Sequence, residues 1–166
     1  MKDFHLISPE ELENVFHLIG HDWMLITASD GQTVNTMTAS WGGMGILWNK
    51  PVAFCFIRPQ RHTFSLTEQA ERFSLSFFTE DHRPALRLCG TKSGRDTDKF
   101  AEAGLTPADC NGVPFVAEAR LVLICRKLYA DMLKKEAFAD TALLSNYKDD
   151  DFHRMYVVEI EQAYIK

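Results

Sequence analysis

What this chain lacks narrows its function before any motif is read. Its 18 lysines and arginines are outnumbered by 23 aspartates and glutamates, for a formal net charge of −5, and no lysine/arginine block occurs. A nucleic-acid backbone demands a basic face, so that class of partner is excluded and any phosphate recognition has to be local. There is no Cys-x-x-Cys pair, because Cys55, Cys89, Cys110 and Cys125 are widely spaced. That excludes a zinc ribbon and a thioredoxin-like redox motif; Cys55 and Cys125, inside apolar strand-like runs, read as small buried hydrophobes. No apolar run approaches the ~18 residues of a membrane span, and the opening Met1-Lys2-Asp3-Phe4-His5-Leu6 lacks the basic-then-apolar pattern of a secretion signal. A cytoplasmic protein, free of the membrane, is the expectation. Repeats, low-complexity tracts and linker-like stretches are also missing. Residues 1–166 are therefore expected to form one domain, and with 46% hydrophobic residues it can bury a sizeable core.

The elements that are present follow from local signals. Ser8-Pro9-Glu10-Glu11 is a helix start with a capping box, and Leu12, Val15, Phe16 and Ile19 fall on one face before Gly20. His17 and His21 sit four apart, a spacing a metal site can use, but no carboxylate or cysteine pattern joins them. Solvation at the helix end is the reading, and no metal site is expected. Trp23–Ser29 and Thr33–Ser40 read as strands joined by a type I′ turn at Asp30-Gly31. Gly42-Gly43-Met44-Gly45 reads as a loop that lets backbone pass close to something flat, and Val52–Ile57 as a strand buried on both faces. A strand over Phe73–Phe78 leads to a helix over His82–Leu88 that Gly90 ends. Asp96 is expected to cap a helix through Ala103, Asn111-Gly112-Val113-Pro114 to turn, and Ala119–Tyr129 and His153–Glu161 to be strands. The acidic stretch 131–151 is helix-tending and carries no chemical reading. Six or seven strands with few long helices imply a closed or split antiparallel barrel with helices over its ends.

The stretch from Asn35 to Phe64 concentrates the chemistry. A strand of small polar residues, a glycine-rich turn and a buried strand lead into the cationic loop Arg58-Pro59-Gln60-Arg61, with Thr63 placed to cap a helix beginning near Phe64. Backbone amides beside small side chains can approach a flat heterocycle, while two arginines and the free amides of a helix start can hold a phosphate. Taken alone, the strand also reads as half-buried with its hydroxyls in water, and the loop as a solvated basic turn.

The series Asn35, Met37-Thr38-Ala39-Ser40-Trp41-Gly42, Lys50-Pro51, Arg58-Pro59 and Thr63 resembles the flavin reductase-like family, and within it the flavoredoxin branch. The resemblance implies a mainly β fold, an FMN-binding split β-barrel of antiparallel, Greek-key type with peripheral α-helices. It implies FMN as cofactor, with NAD(P)H as co-substrate or a redox protein as partner, and a homodimer packed barrel to barrel. By the same resemblance Asn35, Thr36, Met37, Thr38, Ala39, Ser40 and Trp41 would lie along the isoalloxazine ring and ribityl chain, largely through backbone groups. Arg58, Arg61, Thr63 and Lys92, with Ser93 and Gly94 beside Lys92, would hold the phosphate. His153 matches a histidine near the flavin face or the nicotinamide and is the candidate catalytic residue, although Asp151-Phe152 stand where the family carries Gly-Asp. Without the resemblance it reads as a structural histidine opening a strand. The implied activity is transfer of reducing equivalents through bound FMN to an acceptor. The alternatives on the same fold are a flavin-binding electron carrier without turnover of its own, and a split barrel that binds heme or pyridoxal phosphate.

Overall fold

The computed structural model describes residue 1 and residues 3–166. Ten strands form: β1 (His5–Ile7), β2 (Met24–Ser29), β3 (Val34–Ala39), β4 (Gly42–Leu47), β5 (Lys50–Ile57), β6 (Arg72–Phe77), β7 (Pro107–Cys110), β8 (Val113–Val116), β9 (Leu121–Met132) and β10 (Arg154–Ile165). Seven of them are hydrogen-bonded in the order β3-β2-β6-β9-β10-β5-β4, β1 adds to the far end of β10, and β7 and β8 form a separate hairpin. Every pairing is antiparallel. The two ends of the path, β3 and β4, follow each other in the chain across Ser40 and Trp41 alone, yet pair with β2 and β5 respectively. This is the split of the barrel, and it leaves the segment Ser40–Trp41 at an open seam.

Alternation along the strands builds two cores. Ile26, Leu75, Leu123 and Tyr156 point inward with Met37, Ala39 and Cys55, whereas Leu25, Val122 and Ile124 point outward against Leu86, Cys89, Phe100 and Phe115. Strands β2 and β9 are thus covered on both faces, whereas β5, expected to be buried on both, alternates, with Val52, Ala53, Cys55 and Ile57 buried and Phe54 and Phe56 only partly so. The outer cover consists of α3 (Arg83–Thr91), α4 (Lys99–Ala103) and the β7–β8 hairpin, while α2 (His62–Gln69) follows the arginine loop.

The antiparallel split barrel with peripheral helices matches expectation, but several elements differ. The capping box at Ser8 forms, yet it starts only a 3₁₀ turn (Pro9–Glu11). The chain then passes through a left-handed Asn14 into α1 (Val15–His17) and a π turn (Leu18–Asp22), so no continuous helix runs to Gly20. The β2–β3 connection is longer than a type I′ turn: Ser29 faces Val34, and Asp30 Oδ1 accepts from the amides of Gln32 and Thr33. The glycines of Gly42–Gly45 belong to β4, where a Cβ on Gly42 would lie 2.5 Å from the Phe54 carbonyl oxygen. Gly90 lies inside α3 rather than ending it. Asp98, not Asp96, caps α4. The stretch 131–151 finishes β9 and then makes three 3₁₀ turns.

Gly42→Ala is expected to lower stability by about 1–3 kcal/mol through overpacking against backbone, whereas Gly45→Ala, with nothing within 4 Å of the added methyl, is expected to leave it unchanged. Urea unfolding midpoints of the two variants check this.

Candidate functional site

The end of β3 and the end of β5 enclose a cavity of about 320 Å³, lined by Met37 to Trp41, Phe56, Arg58, Gln60, Arg61 and His153. Past Met37, Gln60 and Arg61 it adjoins a hollow of about 110 Å³ to which His62, Thr63, Thr91, Lys92, Ser93 and Lys99 contribute. The larger space has aromatic walls and a run of strand backbone. The smaller one is cationic.

The hollow has the donor set of an anion site. Arg61 is the N-cap residue of α2, and no side chain caps this helix, so first-turn amides remain without a helical partner. Lys99 is 4% exposed, and its Nζ donates to the Thr36 carbonyl at 2.8 Å and the Cys89 carbonyl at 2.9 Å. Burial pulls its pKa down to about 8, opposed by Cys89 and reinforced by a smaller repulsion from Arg61. Burial and the neighbouring Arg58 likewise lower the pKa of Arg61, whose Nη1 donates to the Gly90 carbonyl. His62 Nδ1 is buried without a hydrogen-bond partner. Two crowded cations, uncapped amides and an orphaned ring nitrogen together fit a phosphomonoester.

The residues expected from sequence do not all share this hollow. Thr63 does not cap α2; it sits in the first helical turn, fully buried, and its Oγ1 accepts from Asn35 Nδ2 at 2.8 Å. The Thr36 hydroxyl is buried against Thr27 and the Ile26 carbonyl, and the Thr38 hydroxyl donates to the Leu86 carbonyl. Along β3, therefore, mainly backbone groups are left for a ligand, joined by the side chains of Ser40 and Trp41 just beyond the strand. Lys92 lines the hollow but pairs with Glu102 at 2.6 Å, and the Ser93 hydroxyl accepts from the Arg95 amide. Gly94 has a steric role, since a Cβ there would stand 2.1 Å from Asn35 Oδ1.

Arg58 lies on the wall of the larger cavity, away from the hollow. Its guanidinium donates to Asp151 and to the Asn146 carbonyl at 2.8 Å, and it lies 5.2 Å from the centre of the Tyr147 ring. The segment without a chemical reading thus packs against two residues of the cavity wall, Arg58 and His153. It also supplies Tyr147 Oη, 3.0 Å from His153 Nδ1. His153 itself stands 5.4 Å from the Trp41 ring and 6.4 Å from the Phe56 ring, centre to centre. Burial, with repulsion from Arg58 only partly offset by Asp151, lowers its pKa to about 4, so the imidazole is neutral at pH 7. Sequence reasoning missed Lys99, His62, Gln60 and Phe56. Lys99 did carry a signal, as the first residue of a helix capped by Asp98, but a lysine at that place ordinarily reads as solvated.

These features define a split β-barrel whose ring-sized, aromatic cavity opens onto an anion hollow. A family model described as flavin reductase like domain matches residues 16–166. The chain belongs to the flavin reductase-like family. Among solved structures it resembles an FMN-binding domain of a flavin reductases-like enzyme from Shewanella baltica, with a TM-score of 0.69 and 17% identity over 98% of this chain and 77% of that one. It also resembles an FMN-binding protein from Thermus thermophilus, with a TM-score of 0.68 and 22% identity over 96% and 80% of the two chains. Flavoredoxin of Desulfovibrio vulgaris (Miyazaki F) gives 0.68 and 20% over 87% and 69%. At these identities the likeness speaks for the fold. Among curated proteins none matches. No helix among the described residues is long and apolar enough to cross a membrane.

His153 makes stability depend on pH. Its folded pKa of about 4 lies below the value of about 6.5 for an unfolded histidine, so between these values the unfolded chain binds a proton that the native state refuses. Stability is expected to fall as pH drops from about 6.5 to about 4, and His153→Gln is expected to flatten that part of the dependence. Urea midpoints of parent and variant across this window check it.

Proposed function

We propose that this chain binds FMN and works as an oxidoreductase of the flavin reductase or flavoredoxin type, taking electrons from a nicotinamide or a redox protein. The observation that carries the reading is the hollow beside Arg61, where the buried Lys99, the orphaned Nδ1 of His62 and the uncapped start of α2 converge next to the aromatic cavity. Arg61, Lys99 and the α2 amides would hold the phosphate, with Ser93 and Lys92 at its mouth. The backbone of β3 from Met37 to Trp41 would lie along the ring. When bound, FMN supplies the chemistry, accepting a hydride on one face and releasing electrons to an acceptor.

The protein's share is orientation and charge. Arg58, braced by Asp151 and Asn146, keeps a fixed positive charge beside the ring-end cavity and favours extra negative charge there. His153, neutral and anchored on Tyr147, can donate or accept a hydrogen bond without adding charge. Tyr147 and Phe152 stack at 4.8 Å with Phe138 against both, and this aromatic cluster packs behind His153 and Arg58.

The phosphate test compares FMN with riboflavin. The unmodified chain is expected to hold FMN through gel filtration and to bind riboflavin roughly 10- to 100-fold more weakly, the worth of one or two charge-assisted hydrogen bonds. Lys99→Gln is expected to weaken FMN and leave riboflavin unchanged. Because Lys99 loses its proton near pH 8, FMN affinity is expected to fall above that pH in the parent chain and to stay level in the variant. Equal retention of the two flavins, or of neither, overturns the reading. Anaerobic titration of the FMN-loaded chain with NADH and NADPH, followed by loss of the flavin absorbance band, tests the oxidoreductase step.

The proposal extends to a homodimer. Strand β4 ends the hydrogen-bonded path, and around it Phe16, Ile46, Trp48 and Trp41 are 96%, 65%, 57% and 50% exposed. A second copy would bury this unusually apolar rim. Light scattering is expected to give twice the chain mass, and Trp48→Lys with Ile46→Lys is expected to give the monomer.

A further inference from the structure

Away from the cavity lined by Arg58 and His153, α1 and the π turn Leu18–Asp22 bring together three metal-ligating side chains. His17 Nε2 lies 3.2 Å from Asp22 Oδ1, and His21 Nδ1 lies 3.1 Å from that same oxygen. The two imidazoles stack with centroids 4.3 Å apart and planes 13° from parallel, so sharing one ion requires these exposed rings to turn about their side-chain torsions. All three ligand atoms fall within 4.8 Å of one another. Around a tetrahedral ion with bonds of about 2.0–2.1 Å, neighbouring ligand atoms stand about 3.3 Å apart. The nitrogen–oxygen separations here are within a few tenths of an ångström of that edge.

The carboxylate is held in place from behind. Its other oxygen, Oδ2, accepts from Arg120 Nη2 at 2.7 Å. The backbone on either side is clamped by Arg83, whose guanidinium donates to the carbonyls of His21 at 2.6 Å and Asp22 at 3.3 Å while lying 4.3 Å from the centre of the Trp23 ring. The next residue, Trp23, has φ 66° and ψ 171°, a conformation that a bulky side chain avoids. A π turn followed by a strained tryptophan is a costly way to enter a strand, and both irregularities serve to swing Asp22 under the two histidines. The imidazoles remain open to solvent, at 48% and 61% side-chain exposure, so a cation can enter and keep a water or an outside ligand in a fourth position.

We propose that His17, His21 and Asp22 form a binding site for one divalent transition-metal cation of the zinc, cobalt, nickel or copper class. Two imidazoles and one carboxylate suit these borderline ions and not calcium or magnesium, which take oxygen ligands. Arg120 and Arg83 are positioning residues that orient the carboxylate and the turn. The site stands independently of the flavin reading.

The test uses the full chain without an affinity tag, stripped with a chelator, and titrated with cobalt(II) by visible absorbance and with zinc(II) by calorimetry. The expected result is one equivalent of either ion, with a cobalt d–d band that zinc displaces. In the double variant His17→Gln and His21→Gln the affinity is expected to fall at least ~10- to 100-fold. Both side chains are exposed and Asp22 keeps Arg120, so the metal-free variant should melt like the parent. Failure of the unmodified chain to take up either ion in excess, or unchanged affinity in the double variant, overturns the site.

Discussion

The ammonium of Lys99 is the interaction on which the candidate site depends. It lies under β3, α3 and α4 and is satisfied by one carbonyl from β3 and one from α3. Those two bonds tie the barrel wall to its outer cover. They leave a third donor and a full charge that burial and Arg61 make expensive to keep. A buried cation of this kind is costly unless an anion stands beside it or it sheds its proton, and under the proposed function the adjoining hollow would take that anion. The other supports of the hollow follow the same line. Asn35 and Thr63 satisfy each other across β3 and α2, which fixes the start of the helix, and Gly94 gives the Asn35 side chain its space.

At the other end, charge is handled by a different part of the chain. Arg58 follows β5 in the arginine loop but is captured by Asp151 and by the carbonyl of Asn146, 93 and 88 residues later in the sequence. Both arginines line the larger cavity and repel each other, but only Arg61 also reaches the smaller hollow. The aromatic cluster of Phe138, Tyr147 and Phe152 gives the acidic segment a structural anchor, so a stretch that is mostly 3₁₀ turns is nonetheless held against β10.

The barrel seam explains why β3 can serve a ligand at all. Because β3 and β4 are joined across Ser40 and Trp41 without pairing to each other, backbone near the seam is free of ladder partners on one side. Gly42, pressed on the Phe54 carbonyl, lets β4 turn away tightly enough for this opening to exist. The inward face of β3, Met37 and Ala39, remains part of the core. Thus one strand contributes packing through its side chains and recognition through its main chain.

Local signals in the sequence determined the strands with clear alternation, the capping box at Ser8 and the arginine loop followed by a helix. These are decided by neighbours within a few residues, through backbone sterics, turn chemistry and hydrophobic period. Only the tertiary structure decided which cations face the hollow, that Arg58 belongs to Asp151, that Thr36, Thr38 and Thr63 have their hydroxyls occupied, and that Asp22 joins His17 and His21. Each of these outcomes is set by a partner far along the chain or by a π turn and a strained tryptophan that no local preference favours. The physical reason is that hydrogen-bond satisfaction and desolvation are assigned by burial, and burial exists only once the barrel and its cover have closed on each other.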